Sequence, residues 1–326
     1  MMKILLQLVL FLSVSCSDAD PSWMAFKSRF VTQDGRVLDT GNGNISHSEG
    51  QGYGMILSVH FDDPLTFNRL WKWTRKNLQT RPDALLSWKF DKKVTDPNNA
   101  TDGDILVAWA LILASKQWDN PSHKKRALKI LGDIKKKLVI SQNNHFILLP
   151  AEVGFQKENE IILNLSYYVF PALQTFAQVD PNGPWQDLID SGMEQIKKAR
   201  FGQWQLPSDW VTFNQEETMS SAQNENFGFD AIRIPLYLAW GGLLDTPLKE
   251  PFTAYWSQNP DFPATINVNT NTISDYRAPT GFECIATLIQ ADPDEKINWP
   301  KLDKNDDYYS SALCLLSRMA YQGAAS

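Results

Sequence analysis

The chain has 326 residues and a net charge of -6, with 43% hydrophobic and 21% charged residues. That length allows one large or two ordinary domains, and the mixture is globular rather than disordered. The acidic surplus excludes a nucleic-acid binder, which needs lysine and arginine to neutralise phosphates. Flat side chains are plentiful (12 Trp, 9 Tyr and 17 Phe) and suit either a core or a cleft that stacks on sugar rings.

Residues 1–17 read as a targeting segment. Lys3 is a minimal basic start, and Ile4 to Val14 form an apolar stretch too short to span a bilayer. Ser13-Val14-Ser15 offers small residues for cleavage; the alternative is a lipidated Cys16, with Ser13 where a lipobox usually has Leu. Both readings export the protein to the periplasm or beyond, and no later stretch approaches a transmembrane length. No linker or composition break follows, so 18–326 reads as one domain.

Past the leader, two kinds of helix alternate. Gly50–His60, Ile105–Ala114, Tyr167–Ala177, Asp230–Leu244 and Pro279–Gln290 are apolar nearly all round and must be enclosed. Pro64–Leu78, Pro121–Ile140 and Pro184–Arg200 carry a single apolar stripe, such as Leu128, Leu131, Ile134 and Leu138 opposite a lysine-rich face. Enclosed and amphipathic helices in alternation predict a double ring, all-α, with six pairs filling the chain. Strand signals are weak and few.

Acids collect where the enclosed helices start. Ser46 and Glu49 have the spacing of a capping box. Gly50, Gly52 and Gly54 follow, each costing a helix about 1 kcal/mol against Ala, and a ligand lying across the helix end would explain them. Thr101 and Asp104 read as N-cap and N3 of the next enclosed helix, with Asp102 between them. Asp230 and Arg233 stand three apart at the head of another, as an ion pair or a site, with Pro235 placed to kink it. If the enclosed helices run parallel, Glu49, Asp102, Asp104 and Asp230 share one mouth. Neighbouring carboxylates there can raise the pKa of one member, the arrangement that glycoside hydrolysis uses.

The remaining signals are plainer. The lysines at 135–137 are a solvated outer face. His47, His60, His123 and His145 show no ligand spacing, so no metal is expected. Cys284 and Cys314 could form a disulfide after export, or Cys284 could be a small buried hydrophobe.

As a set, these stretches resemble glycoside hydrolase family 8. The resemblance rests on Gly35-Arg36-Val37-Leu38-Asp39, Ser48-Glu49-Gly50-Gln51-Gly52-Tyr53-Gly54-Met55 and Ala100-Thr101-Asp102-Gly103-Asp104. Leu148-Leu149-Pro150, Asn164-Leu165-Ser166-Tyr167, Ser208-Asp209-Trp210 and Asp230-Ala231-Ile232-Arg233 then follow in order. It covers Trp23 to about Tyr321 and is strongest with the cellulases encoded beside bacterial cellulose synthases. It implies an (α/α)6 barrel of six inner and six outer helices, forming a single catalytic domain. It further implies endo-β-1,4-glucanase activity with an inverting mechanism and no cofactor. Residue by residue, Glu49 matches the general acid, Asp230 the general base and Asp102 a substrate-positioning residue once proposed as nucleophile. Tyr53, Trp88, Asp104, Tyr167 and Arg233 match substrate-binding positions. Leu165 stands where the family usually has Pro, and Phe229 replaces a common Tyr, removing a hydroxyl beside the base. The expected partners are a β-1,4-glucan chain and a cellulose synthase secretion complex, with the protein itself a monomer. Xylan, mixed-linkage glucan and chitosan remain alternative substrates, and a non-catalytic glucan-binding protein is the alternative class.

Overall fold

The computed structural model describes residues 20–142, 145–214, 216–222, 225–291 and 297–324; the leader expected over 1–17, with Cys16, lies outside them. Eleven α-helices occur among the described residues: α1 Pro21–Phe30, α2 Ser48–His60, α3 Pro64–Asn77, α4 Thr101–Gln117, α5 Pro121–Lys137, α6 Phe170–Val179, α7 Trp185–Lys198, α8 Arg233–Trp240, α9 Thr246–Gln258, α10 Thr280–Gln290 and α11 Tyr308–Ala324. Helices α2, α4, α6, α8, α10 and α11 pack side by side and close into a ring. Helices α1, α3, α5, α7 and α9 lie outside it against α11, α2, α4, α6 and α10. This is the (α/α)6 barrel expected from the alternation.

Local chemistry explains which helices go where. Outer helices α1, α3, α5 and α9 start on Asp20, Asp63, Asn120 and Asp245, whose side chains accept a first-turn N–H, with a proline in that turn. The cap satisfies a donor the helix leaves unpaired, and the proline has no N–H to leave unpaired. These helices need no neighbour to begin. Inner helices α4, α6, α8 and α10 have no side-chain cap of their own. Helices α2 and α4 are buried on every face apart from their ends, so the ring holds them rather than local propensity.

The glycines of α2 serve that ring. A Cβ on Gly52 would stand 2.5 Å from Leu106 Cβ, and one on Gly103 would stand 2.0 Å from Ser48 Oγ. Gly54 faces Val37 and Leu70, and Gly50 faces Tyr308 and His47. The room expected for a ligand is therefore taken by α4 and its neighbours, and close helix packing offsets the propensity lost.

Several boundaries shift for identifiable reasons. Pro235 falls in the first turn of α8, so it helps start the helix expected from Asp230 and does not kink it. The helix expected over Tyr167–Ala177 divides into a 3-10 turn, Leu165–Tyr167, and α6, which starts beside Pro171. The outer position between α10 and α11 holds no helix among described residues 297–307. There Trp299 packs on Tyr321 at 6.1 Å and Arg318 donates to the carbonyl of Pro300.

Short antiparallel strands join the loops. β1 (Ser46–His47) pairs with β2 (Lys89–Phe90), and β3 (Val139–Gln142) with β4 (His145–Leu148), which ends the helix expected to reach Ile140. β5 (Glu160–Leu163), β6 (Trp210–Asn214) and β7 (Met219–Ala222) form one sheet, and β8 (Asn226–Phe227) pairs with β9 (Ile266–Asn267). A disulfide joins Cys284 of α10 to Cys314 of α11, both fully buried, which decides between the two readings of those cysteines. No helix among the described residues is long and apolar enough to cross a membrane.

Candidate active site

Glu49 is the second residue of α2, and its loop is braced from several sides. His47 caps the helix: its Nδ1 accepts from the Gly50 N–H at 3.1 Å, and its Nε2 lies 3.2 Å from Asp39 Oδ2. The capping box expected from Ser46 and Glu49 does not form, because pairing with Phe90 puts Ser46 in a strand. Ser46 Oγ instead accepts from Arg36 Nε at 2.7 Å and donates to the Val37 carbonyl. Gln51 reaches back to the same loop, accepting from the Val37 N–H at 2.6 Å and donating to the Gly35 carbonyl at 3.1 Å and Thr74 Oγ1 at 2.8 Å. Gly35 has φ +92°, and a Cβ there would stand 2.3 Å from the Arg69 backbone. Capping is done by His47, so the Glu49 carboxylate is left for other work.

That carboxylate meets two others on one guanidinium. Arg233 Nη1 lies 3.2 Å from Glu49 Oε2 and 3.1 Å from Asp102 Oδ2, while Nη2 lies 2.7 Å from Asp230 Oδ1. The acids come from the starts of α2 and α4 and the turn before α8, so these inner helices open at one mouth. Arg233 and Asp102 are each only 2% exposed, whereas the Glu49 and Asp230 side chains keep 17% and 30%. Glu49 Oε1 is buried without a hydrogen-bond partner among the described residues. Asp102 Oδ1 accepts from the Gly103 N–H at 2.7 Å, so both its oxygens are occupied.

One cation among three acids leaves charge unbalanced. Burial, then the charge of Glu49, pushes Asp102 up to about 7 against the pull of Arg233. Burial also raises Asp230; Arg233, the Asn164 amide and the Trp210 indole oppose it, while Glu49 adds to it. The guanidinium fills the position that a metal ion would take among three carboxylates. Among the described residues no group of His, Cys, Asp and Glu is arranged to hold one.

Other residues expected at the site divide. Tyr167 is half-buried at its edge, with the Arg233 guanidinium 5.7 Å from its ring centre and Trp210 edge-on at 6.1 Å. Trp88 stands beside the start of α2: its carbonyl accepts from the Ser48 N–H at 3.0 Å, and its indole donates to Asp96 at 2.8 Å. Tyr53 is fully buried and shares a 2.8 Å hydrogen bond with Tyr237, so it supports the floor and is not open to a sugar. Asp104 does not join the group. It is fully buried and points into the neighbouring loop, accepting from the Leu86 N–H at 2.8 Å and Asn99 Nδ2 at 2.9 Å. Nor is it paired with a Thr101 cap: Thr101 Oγ1 donates to the Leu149 carbonyl at 2.6 Å, and α4 has no side-chain cap.

Sequence reasoning missed others. Asp209 and Trp210 stood in a quoted motif without a role. Tyr309, on α11, donates to the Phe229 carbonyl at 2.6 Å and lies near Glu49, Asp230 and Arg233. Phe229 itself is 41% exposed and packs edge-on against Phe282 at 5.2 Å. A tyrosine pair at a helix start carries no sequence signal that separates site from core.

Comparison with known proteins identifies the family and agrees with the fold. The family model for glycosyl hydrolases family 8 matches residues 2–323. A probable endoglucanase of Novacetimonas hansenii is 38% identical over 95% of this chain and 94% of its own length. An endoglucanase of Cellulomonas uda is 35% identical over 85% of this chain and 79% of its own. Among solved structures, the endo-beta-1,4-glucanase CMCax from Acetobacter xylinum superposes with a TM-score of 0.88 at 37% identity, covering 94% of this chain and 98% of that one.

Proposed function

The chain belongs to glycosyl hydrolases family 8, and on that premise we propose that it is an endo-β-1,4-glucanase working by single displacement with inversion. The observation that carries the proposal is Arg233 holding Glu49, Asp102 and Asp230 together at the mouth of the ring. Glu49 is the general acid: its unpartnered Oε1 is free to give a proton to the glycosidic oxygen. Asp230 is the general base. It is the most exposed of the three and sits on the other guanidinium nitrogen from Glu49. An inverting pair stands about 6.5–9.5 Å apart so that a water fits between base and sugar. Asp102, nearly closed off and hydrogen-bonded through each oxygen, orients the sugar through Arg233.

The aromatic edge of Tyr167, Trp210 and Phe155, with Phe155 stacked on Trp210 at 5.5 Å, suits a chain of flat-faced glucose units. The leader supports export, and the likeness to an endoglucanase of a cellulose producer supports service to cellulose secretion, with the chain acting as a monomer. The experiment is hydrolysis of carboxymethylcellulose by the protein without its leader, beside Glu49→Gln and Asp230→Asn. Each variant is expected to lose about 10³-fold or more in kcat with KM little changed, and NMR of the first product formed should show the α-anomer. A β-anomer ends the single-displacement mechanism. Turnover of xylan or chitosan in place of the glucan moves the substrate.

A further inference from the structure

Asp230 lies on a turn, Gly228 to Ala231, ahead of α8, a helix that has no side-chain cap of its own. The cap comes from elsewhere. Asp209, at the entrance to β6, turns Oδ1 into this turn and accepts from the N–H of Gly228 at 3.0 Å, of Asp230 at 3.0 Å and of Ala231 at 2.8 Å. One carboxylate oxygen thus holds three consecutive-turn donors across a sequence separation of 21 residues for Asp230. The approach is tight: a Cβ on Gly228 would stand 3.0 Å from Asp209 Oδ2 and 3.0 Å from Thr265 Cγ2. Asp209 is itself only 4% exposed, and its own N–H is tied to the Asn226 carbonyl at 2.6 Å.

We propose that Asp209 is a positioning residue for the reaction: its carboxylate holds the backbone that aims Asp230. The inference rests on the reading of Asp230 as the base. Asp209 is buried beside Asp230, whose side chain keeps 30% exposure. Burial, then the Asp230 charge, raises Asp209 to about 7 against the three N–H donors. Asp230 is faced by Arg233 at the start of α8, Glu49 from α2, Asp102 from α4, Tyr167 from the 3-10 turn, Tyr309 from α11, Asn164 from the loop before that turn, Trp210 from β6, and Asp209. Among the acids, Asp209 alone bonds the Asp230 main chain, so it can be changed without entering the sugar's path.

The test is kcat and KM on carboxymethylcellulose across acidic to alkaline pH for wild type, Asp209→Asn, Asp209→Ala and Asp230→Asn, with thermal unfolding of each. Asn keeps an oxygen for the three N–H groups and removes the charge. Its kcat is expected to stay within about threefold of wild type, with KM unchanged. Ala removes both, and kcat is expected to fall by about 10–100-fold at every pH while KM holds. A kcat in Asp209→Asn lowered about tenfold or more, with the acceptor oxygen kept, overturns the positioning role, and decides the matter even if Asp209→Ala fails to fold. Wild-type kcat in a folded Asp209→Ala overturns the positioning role. Should Asp230→Asn keep wild-type kcat, the base lies elsewhere; that result fails the underlying reading first and is distinguished from the other two by the Asp230 variant alone.

Discussion

Two arginines in this molecule gather carboxylates, and the two groups behave in opposite ways. Arg81 and Lys137 together hold Asp83 and Glu152: Arg81 meets Asp83 at 2.9 Å and Glu152 beside it, and Lys137 meets them at 2.6 and 3.0 Å. Two cations face two acids, and every carboxylate oxygen has a partner. Burial would raise Asp83, but Arg81 and Lys137 outweigh it and hold the carboxyl down at about 2. Around Arg233 one cation faces three acids and one oxygen of Glu49 stays unpaired, so Asp102 rises to about 7 and Asp230 rises with it. A balanced cluster is a clasp between loops. An unbalanced one keeps protons within reach of physiological pH, which acid–base chemistry requires.

Removing the central cation should break the contrast most severely. Arg233→Met leaves three acids buried together without compensation; urea unfolding near neutral pH should show a loss of about 3–5 kcal/mol, and activity should vanish. The loss should shrink at acidic pH, where the carboxylates take up protons. A variant as stable as wild type at neutral pH would mean that the site never held three charges at once.

Asp104 sharpens the comparison from within one helix, two residues from Asp102. Burial pushes it up to about 8 against its bonds to Leu86 and Asn99. A folded-state pKa above the unfolded value gives stability that is complete below about 3.8 and is lost as pH rises through about 8. Asp104→Asn should flatten that fall in thermal unfolding and cost about 1–3 kcal/mol, since an amide nitrogen would then face Asn99 Nδ2. Specific activity should stay near wild type; a loss comparable to Asp102→Asn would return Asp104 to the substrate.

The smallest effect is expected at the balanced cluster. Asp83 has a lowered pKa, so its contribution is present above about 3.8 and fades as pH falls through about 2. Lys137 and Glu152 of the cluster are part-exposed and solvent-screened, so Asp83→Asn should lose under about 1 kcal/mol near neutral pH with kcat unchanged. A loss like that of Arg233→Met would erase the distinction between the two groups.

The alternation of apolar and striped helices was enough to read an all-α double ring, because burial on every face and burial on one leave different periods in a sequence. The starts of the inner helices were legible as places where Glu49, Asp102, Asp230 and Arg233 collect, since those positions are polar where everything around them is apolar. Roles within those starts were not. Asp102 and Asp104 look alike in sequence, two residues apart in the same motif, yet a rotation of about 200° along the helix sends one to Arg233 and the other to Leu86 and Asn99. Gly50, Gly52 and Gly54 read as space for a ligand, whereas what fills that space at Gly52 is the facing helix α4, and only the packed ring says so. Asp209 had no local pattern at all, because the N–H groups it satisfies lie on another segment. The sequence by itself therefore determined the class of fold and the cast of acids. Which acid points inward, which holds a loop and which caps another's turn were tertiary decisions, since hydrogen-bond partners and charge balance are set by segments that meet only after the ring has closed.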